Sequence, residues 1–541
     1  MTPMVTILGI MGVIILFMSG LLVINTISAL MAQQIRQIGI MKAVGGRTSQ
    51  IIWMYLFSML IIGFIALIIA VPLGNLLTRL SVQMLINVIN FDIPTIVIPK
   101  QVLFLQVGLS IFVPVLAALI PVITGARITV REAINDYGLS KFHYGQSFFD
   151  QWVGKIRGLP RPLLLSLRNT FRQKARLTLT LLSLSLASAI FIAVISVYAS
   201  LTKTLDQALQ FYGFDIVVQF NRPYRVEQIL GAMQTIPGIL IAETWDAADT
   251  RIVLPDGSES DTVLLVAPST NTALIEPQLL AGRWLKPDDE NAIVINGDVL
   301  RQVPDLRVGD QVTLNIDEKN SSWTIVGILR SVLSGPTVYA NNSYFSRALD
   351  RYGQASSVYI QLTNPSNAFQ SYMSKLLEDH FEKTGFKVGS TSTVAELRQI
   401  TISQYNVIFI FLTMMCLLLT IVGGLSLTGT MSLNILERTR EIGVLRAVGA
   451  SDSAVLQIVI VEGLVIGILS WLIGIFLALP LAFILGGVLG SGFLGERLSV
   501  TYSIPGTMVW LVIVILLATI ASYLPARRAV SLAVRDVLAY E

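Results

Sequence analysis

The sequence predicts a polytopic α-helical membrane protein of about seven spans that carries one two-lobed α+β extracytoplasmic domain. Of its 541 residues, 53% are hydrophobic and only 13% charged, and the mean hydropathy is +0.70, outside the range of a soluble globular chain. Seven apolar stretches, about 4–30, 51–78, 101–124, 177–201, 404–433, 455–486 and 505–526, reach the roughly 20 residues that cross a bilayer as a helix. Between the fourth and fifth, residues 202–403 change character: acids outnumber bases, and short alternating runs with turn signals replace long apolar ones.

The first apolar run is too long for a cleaved leader, has no basic residue ahead of it and has its charges behind it, so it reads as a span. The next loop, 31–50, holds Arg36, Lys42 and Arg47 and no acid; the region 125–176 holds ten Lys and Arg against three acids. Positive-inside bias puts both in the cytoplasm. Alternation then places the N-terminus and residues 202–403 outside, and 434–454 and the tail 527–541, with Arg527, Arg528 and Arg535, inside. In Arg161 to Arg176, Leu163, Leu164, Leu167 and Phe171 share one side while Arg168, Arg172 and Arg176 recur at spacings of four. That pattern fits an interfacial elbow helix among anionic headgroups, or an ordinary basic flank.

In the external segment, Asp215–Phe220, a helical pattern over Val226–Met233 and Gly238–Trp245 read as βαβ. Val358–Leu362, a helix at about 366–384 and Phe386–Val388 repeat the logic. Asp256-Gly257 is a hairpin turn and Trp323–Leu329 a buried strand. The expected arrangement is an outer β-rich lobe inserted into an α+β lobe beside the membrane, with a helix near 394–403 running straight into the fifth span.

Two loops are copies of one another. RQIGIMKAVGG (Arg36 to Gly46) and REIGVLRAVGA (Arg440 to Ala450) keep Arg36/Arg440, Ile38/Ile442, Gly39/Gly443, Ala43/Ala447, Val44/Val448 and Gly45/Gly449 identical. At the same offset Gly20, Thr26, Ser28 and Pro121 fall on Gly424, Thr430, Ser432 and Pro525, and Arg131-Glu132 on Arg535-Asp536. A period this long marks two copies of a membrane domain. Each short copy predicts a two- to three-turn helix with an apolar stripe (Ile38, Met41, Val44; Ile442, Leu445, Val448), closed by a left-handed glycine. By the same offset Met1 falls on Tyr405, so the first copy has no counterpart of the span at 177–201 or of the external segment, and a longer natural chain is expected.

Little in the chain suggests catalysis. The one cysteine, Cys416, lies in an apolar run, and His143 and His380 are the only histidines, so an internal disulfide or a Cys/His zinc site is excluded and no metal ligands are assigned. No stretch matches G-x-x-x-x-G-K-[ST], G-x-S-x-G or H-E-x-x-H. Asp288, Asp289 and Glu290, after Gly282-Arg283-Trp284, read as a solvated turn. Glu462 is the one ionisable residue well inside an apolar run, and its counterpart is Ser58. Such a carboxylate is a functional suspect, but it lies a couple of turns beyond the second loop, where polar partners are in reach, and the packing role is preferred.

The loop pattern R-E-I-G-x-x-[RK]-A-x-G-A resembles the coupling segment of FtsX-like permeases, the MacB-type (type VII) branch of ABC transporters. The resemblance extends to Leu167-Arg168-Asn169-Thr170-Phe171-Arg172, to Gly282-Arg283-Trp284 and Val308-Gly309-Asp310, and to Pro525-Ala526-Arg527-Arg528-Ala529. It implies a partial permease unit of three spans at 1–137, a cytoplasmic linker and elbow at 138–176, a span at 177–201, a MacB-like periplasmic core domain at 202–403 and a second permease unit of three spans at 404–541. It further implies a multi-pass protein of the bacterial inner membrane, and an ABC ATPase partner, as a dimer, holding Mg-ATP under the two loops. This chain itself then binds no cofactor. The coupling residues are Arg36, Ile38, Gly39, Lys42, Ala43 and Gly45, with Arg440, Glu441, Ile442, Gly443, Arg446, Ala447 and Gly449; Arg168, Arg172, Arg176, Pro525, Arg527 and Arg528 lie at the membrane interface.

The implied activity is ATP-driven export or extraction of a lipophilic or peptide cargo by movement of the external domain, with room for an accessory protein outside and no nucleic-acid partner. A non-transporting regulator of cell-wall enzymes or signalling is the alternative, and a secondary carrier with parallel repeats a third. Gln37 stands where the second copy has Glu441. The second loop is therefore expected to dock an ATPase more strongly, unless Glu441 faces solvent or pairs locally with Arg438.

Overall fold

The computed structural model describes residues 3–89, 99–135, 174–269, 271–316, 318–330, 335–493 and 498–531. The proposed elbow residues Arg168 and Arg172, and Arg535 and Asp536 of the repeat, lie outside them. The chain divides into two compact units: Met1–Val197 with Val407–Leu485 and Thr501–Glu541, and Tyr198–Asn406 with Gly486–Val500.

The first unit holds the membrane helices. Its elements are α1 (Pro3–Gln33), α2 (Ile35–Ala43), α3 (Thr48–Ile89), α4 (Lys100–Ala126), α5 (Val130–Asn135), most of α6 (Lys174–Leu209) and, later in the chain, α11 (Val394–Glu437), α12 (Thr439–Ala447), α13 (Asp452–Phe493) and α14 (Ile504–Ser531). Seven of these are long and apolar enough to span a bilayer, each containing one of the stretches read from the sequence. The expected continuity of the 394–403 helix with the fifth span is present, since α11 is one helix over Val394–Glu437.

Because lipid is as apolar as leucine, helices in it associate by close packing of small residues and by hydrogen bonds. Both occur. A Cβ on Gly463 would meet the Ser522 hydroxyl at 1.9 Å, and one on Gly474 the Ser188 Cβ at 2.4 Å. The two repeats meet at a buried polar cluster. Asn25 Nδ2 donates to Thr430 Oγ1 at 2.9 Å and to the Ser426 carbonyl at 3.3 Å, and the Thr430 and Thr180 hydroxyls share a hydrogen bond at 2.6 Å. Within each repeat the core uses corresponding positions: Met31, Ile38, Ile51, Tyr55 and Val122 in the first, and Ile435, Ile442, Val455, Val459 and Ala526 in the second.

The second unit carries a ten-stranded sheet, ordered β10-β1-β9-β2-β3-β8-β5-β7-β4 with β6 against β2 and β7. Its elements are β1 (Ile216–Arg225), α7 (Val226–Met233), β2 (Ile239–Val253), β3 (Val263–Ala267), β4 (Leu279–Gly282), β5 (Ala292–Asn296), α8 (Gly297–Gln302), β6 (Gln311–Ile316), β7 (Lys319–Leu329), β8 (Thr337–Ala340), α9 (Asn342–Ala348), β9 (Gln354–Leu362), α10 (Asn367–Lys383) and β10 (Val388–Thr393). The two βαβ units interleave: β9 lies between β1 and β2, and β1 between β9 and β10, all antiparallel neighbours. That is the split-βαβ arrangement. The expected outer lobe is the β3–β8 insertion. The lobes have separate cores, one around Trp323, Ile293 and Phe345 and one around Ile216, Ile360 and Phe381. They share β2, whose first half pairs with β9 and second half with β3 and β6, so a single sheet path runs through both.

Two local readings change. The last strand begins at Val388, not Phe386, because α10 ends in a Schellman turn: Gly385 has φ +90°, Phe386 N–H donates to the Phe381 carbonyl at 2.9 Å, and the two rings pack 5.3 Å apart. The turn at 288–290 is not simply solvated. Asp289 accepts two hydrogen bonds from Arg283, at 2.6 and 2.7 Å, and one from the Lys286 N–H at 2.8 Å. Gly282, with φ +74°, has no room for a side chain, since a Cβ would lie 2.3 Å from the Val326 carbonyl. The Gly282-Arg283-Trp284 motif is thus a clamp on the outer lobe.

The Arg283 hydrogen bonds hold the Asp289 carboxyl below its usual range. A carboxylate depressed on folding contributes stability that is present above its unfolded pKa, about 3.9, and lost as the pH falls through the folded value. Asp289→Ala is expected to cost about 1–2 kcal/mol at neutral pH, Arg283 being partly exposed. The difference from the wild type should shrink as the pH falls below the unfolded carboxyl pKa and through the lower folded one, as read by urea unfolding followed through tryptophan emission.

Candidate coupling site

In both repeats a spanning helix breaks at one residue before a short helix: Gln34 separates α1 from α2, and Arg438 separates α11 from α12. These two residues correspond in the repeat. Each reaches the next span. The Tyr55 hydroxyl on α3 donates to Gln34 Oε1, whereas Arg438 Nη1 donates to Glu462 Oε2 on α13 at 3.3 Å. The same joint is neutral in the first half and ionic in the second.

Glu462 is buried and well partnered. Asn434 Nδ2 donates to its other oxygen at 2.9 Å; Arg176 donates to Asn434 Oδ1 at 3.1 Å and to Glu437 at 2.7 Å; Arg438 Nε donates to Glu441 at 3.0 Å. The polar partners that the sequence placed within its reach are present. The sequence reading missed Asn434 and Glu437 as its companions, although they stand, with Arg438, at three- and four-residue spacing at the polar end of α11.

Both short helices close with the same Schellman motif. Gly45 and Gly449 each have φ +103°; Gly46 N–H donates to Met41 O, and Ala450 N–H to Leu445 O, both at 2.9 Å. Ile38 and Gly39, like Ile442 and Gly443, are buried. A Cβ on Gly39 would lie 2.5 Å from that of Ala133, which is how closely α2 lies on α5.

The apolar stripe read from the sequence does not stay on one face. Steps of three fall short of a full turn, so Ile38 and Val44 end up roughly 120° apart. Ile38 is 1% exposed, while Val44 is 85% and Val448 84% exposed. Ile40 and Val444, one turn earlier, are also exposed, so each helix presents an apolar tip at i, i+4.

The basic residues brace these helices. Lys42 donates to the Ile128 carbonyl at 2.7 Å, and Arg446 pairs with Asp452 at 3.3 Å. Arg36, Ala43 and Ala447 are exposed; the Arg440 side chain lies outside the described residues. Glu441 is committed to Arg438, which is the local pairing the sequence left open. Of the interface residues, Arg176 is drawn into the Glu437–Asn434 cluster, Pro525 is buried within α14, and Arg527 and Arg528 are exposed.

Residues 9–130 and 406–534 match the FtsX-like permease C-terminal family, and residues 177–374 match the MacB-like periplasmic core domain. The chain carries two FtsX-like permease domains and one MacB-like core domain. Both short helices lie inside the FtsX-like domains. Similar curated proteins include an uncharacterized ABC transporter permease of Methanocaldococcus jannaschii, 26% identical over 46% of this chain and 63% of its own length. The pyoverdine export ATP-binding/permease protein of Pseudomonas syringae is 25% identical over 47% of this chain and 39% of its own, and the macrolide export ATP-binding/permease protein MacB of Psychrobacter arcticus 29% over 38% and 30%. The chain therefore spans less than two thirds of each of these relatives. Among solved structures, the periplasmic region of MacB from Actinobacillus actinomycetemcomitans aligns at 12% identity and TM-score 0.27, covering 36% of this chain and 96% of that one.

The joint at Arg438 can be tested apart from any partner. Arg438→Gln strands the buried Glu462 charge and is expected to destabilise the FtsX-like domain by about 3–5 kcal/mol. Adding Glu462→Ser, which reproduces the neutral Gln34 and Ser58 of the first half, should recover a large part of that loss. Thermal unfolding of the two single variants and the double variant in detergent checks this; strictly additive losses would show that the two residues do not depend on each other.

Proposed function

We propose that this chain is the permease component of an ABC transporter, driven by a separate ATPase dimer that holds Mg-ATP and docks on α2 and α12. The observation that carries this reading is the pair of matched apolar tips, Ile40/Val44 and Val444/Val448, each on a helix fixed at one end to its span and closed at the other by a left-handed glycine. The sequence carries no match to the phosphate-binding loop pattern, and the nucleotide is accordingly proposed on the partner. In this reading α2 and α12 face the cytoplasm, residues 202–403 and the N-terminus lie outside, and the C-terminal tail lies inside, in agreement with every basic cluster.

Force applied to α12 reaches α13 through Arg438–Glu462 and reaches α6 through Asn434 and Arg176. Helices α6 and α11 are unbroken, and their far ends are clamped together: Arg398 donates to Asp206 at 2.8 Å, and the Tyr198 hydroxyl to Asn406 at 3.0 Å. Movement of the core domain then exports or extracts a lipophilic or peptide cargo. The names of the pyoverdine and macrolide export relatives support export of such molecules over a purely regulatory role.

Burying one valine at an interface contributes about 1.5–3 kcal/mol. Val448→Asp, or Val44→Asp, is therefore expected to weaken ATPase association at least about tenfold. Glu441→Ala should change it less than about fivefold, because an exposed ion pair is worth at most about 1 kcal/mol. Titration of the ATPase onto permease in nanodiscs measures both, after recovery of the ATPase by pull-down from native membranes. ATP hydrolysis by the purified chain alone would contradict the reading.

A further inference from the structure

One face of the external sheet is aromatic where the opposite face is aliphatic. Registers place Val217 on β1, Tyr359 on β9, Trp245 on β2, Val266 on β3 and Tyr339 on β8 on the same side. Helices α7 and α10 cover the other side, and this one has neither of them. It is roofed by the segment just after α6, including Phe211 and Phe214, and by the first two turns of α11, including Leu397. Between floor and roof lies a cavity of about 440 Å³, within the range of small-molecule pockets.

The chemistry of the walls restricts the occupant. Trp245 and Tyr359 stack with centroids 3.8 Å apart, and Phe214 meets both edge-on, at 6.0 and 4.7 Å. Burial pushes the Tyr359 phenol up to about 12, so this wall stays uncharged. Among the described residues the one carboxylate at the cavity is that of Glu396, already engaged in a capping box: it accepts from the Thr393 N–H at 3.0 Å, and its own N–H donates to the Thr393 hydroxyl at 3.0 Å. Among the described residues no Lys or Arg lines the cavity.

We propose that this cavity binds a neutral or cationic apolar small molecule by aromatic contact. An anion is disfavoured because, among the described residues, the wall carries one carboxylate side chain and no Lys or Arg. The roof consists of the two stretches of chain that join the core domain to α6 and α11, so occupancy bears directly on the segments that carry motion to or from the domain. This inference goes beyond the permease reading and stands without it, since the binding needs neither ATPase nor nucleotide.

The test uses the full chain in nanodiscs, with N-phenyl-1-naphthylamine as neutral probe, the anionic 8-anilino-1-naphthalenesulfonate as its matched counterpart, and empty nanodiscs subtracted. The neutral probe is expected to show one saturable site per chain, at least about tenfold tighter than the anion, which meets Glu396 and no compensating cation. Leu264→Trp, which fills the cavity from its partly exposed edge, should abolish the saturable signal. Absence of saturable binding to wild type, or equal affinity for the anion, would overturn the proposal. So would wild-type binding by a Leu264→Trp chain whose melting temperature is unchanged.

Discussion

A carboxylate inside a membrane-spanning helix has to be matched where it sits, and the match dictates where its partners go. Glu462 takes Arg438 and Asn434, one on each oxygen, and those two residues lie at the break between α11 and α12 and one turn before it. Desolvating the pair is expensive, and removing one member is more so. The break is therefore pinned to α13 at a fixed point, and α12 leaves the membrane helices in a defined direction. Arg176 extends the same network to α6, so three helices meet around one buried charge.

The first repeat reaches the same construction by other chemistry. Gln34 occupies the place of Arg438, and its partner is Tyr55, one turn earlier on α3 than the Ser58 that corresponds to Glu462. The core positions coincide, the Schellman closures coincide, and the exposure of the two terminal valines agrees to within one per cent. What the repeats share is the geometry of a knob held at both ends; what they do not share is the charge used to hold it. A neutral joint and an ionic joint respond differently to mutation and to salt, so the two halves are mechanically alike and electrostatically distinct.

Much of this was legible in the sequence, for physical reasons. Span count follows from apolar run length, and the capped short helices follow from a periodic stretch ending in glycine, because both depend on local chemistry. The βαβ units were visible for the same reason. The direction of the stripe was not, because apolar residues at three-residue spacing drift around a helix, and only packing decides that Ile38 goes in while Val44 points out. Glu462 was singled out, but its partners Asn434 and Arg438 lie 28 and 24 residues earlier in the chain, and although their spacing puts them on one face at the end of α11, nothing local ties that face to Glu462. The clamp between Arg283 and Asp289 was read as a solvated turn because adjacent acids carry no sign of a cation folding back on them. The aromatic cavity escaped notice because Trp245, Tyr339 and Tyr359 are far apart in the chain and adjoin only through sheet register.

The central claim is that the two knobs are equivalent docking points for two ATPase subunits. Single cysteines in place of Val44 and of Val448, each in a Cys416→Ser background, test it directly when the purified complex is treated with a short bifunctional crosslinker and the products are weighed by mass spectrometry. Crosslinking of one ATPase subunit through either position, and of two when both cysteines are present in one chain, is the expected result. Crosslinking confined to one position, or none at either while the complex remains assembled, would contradict it.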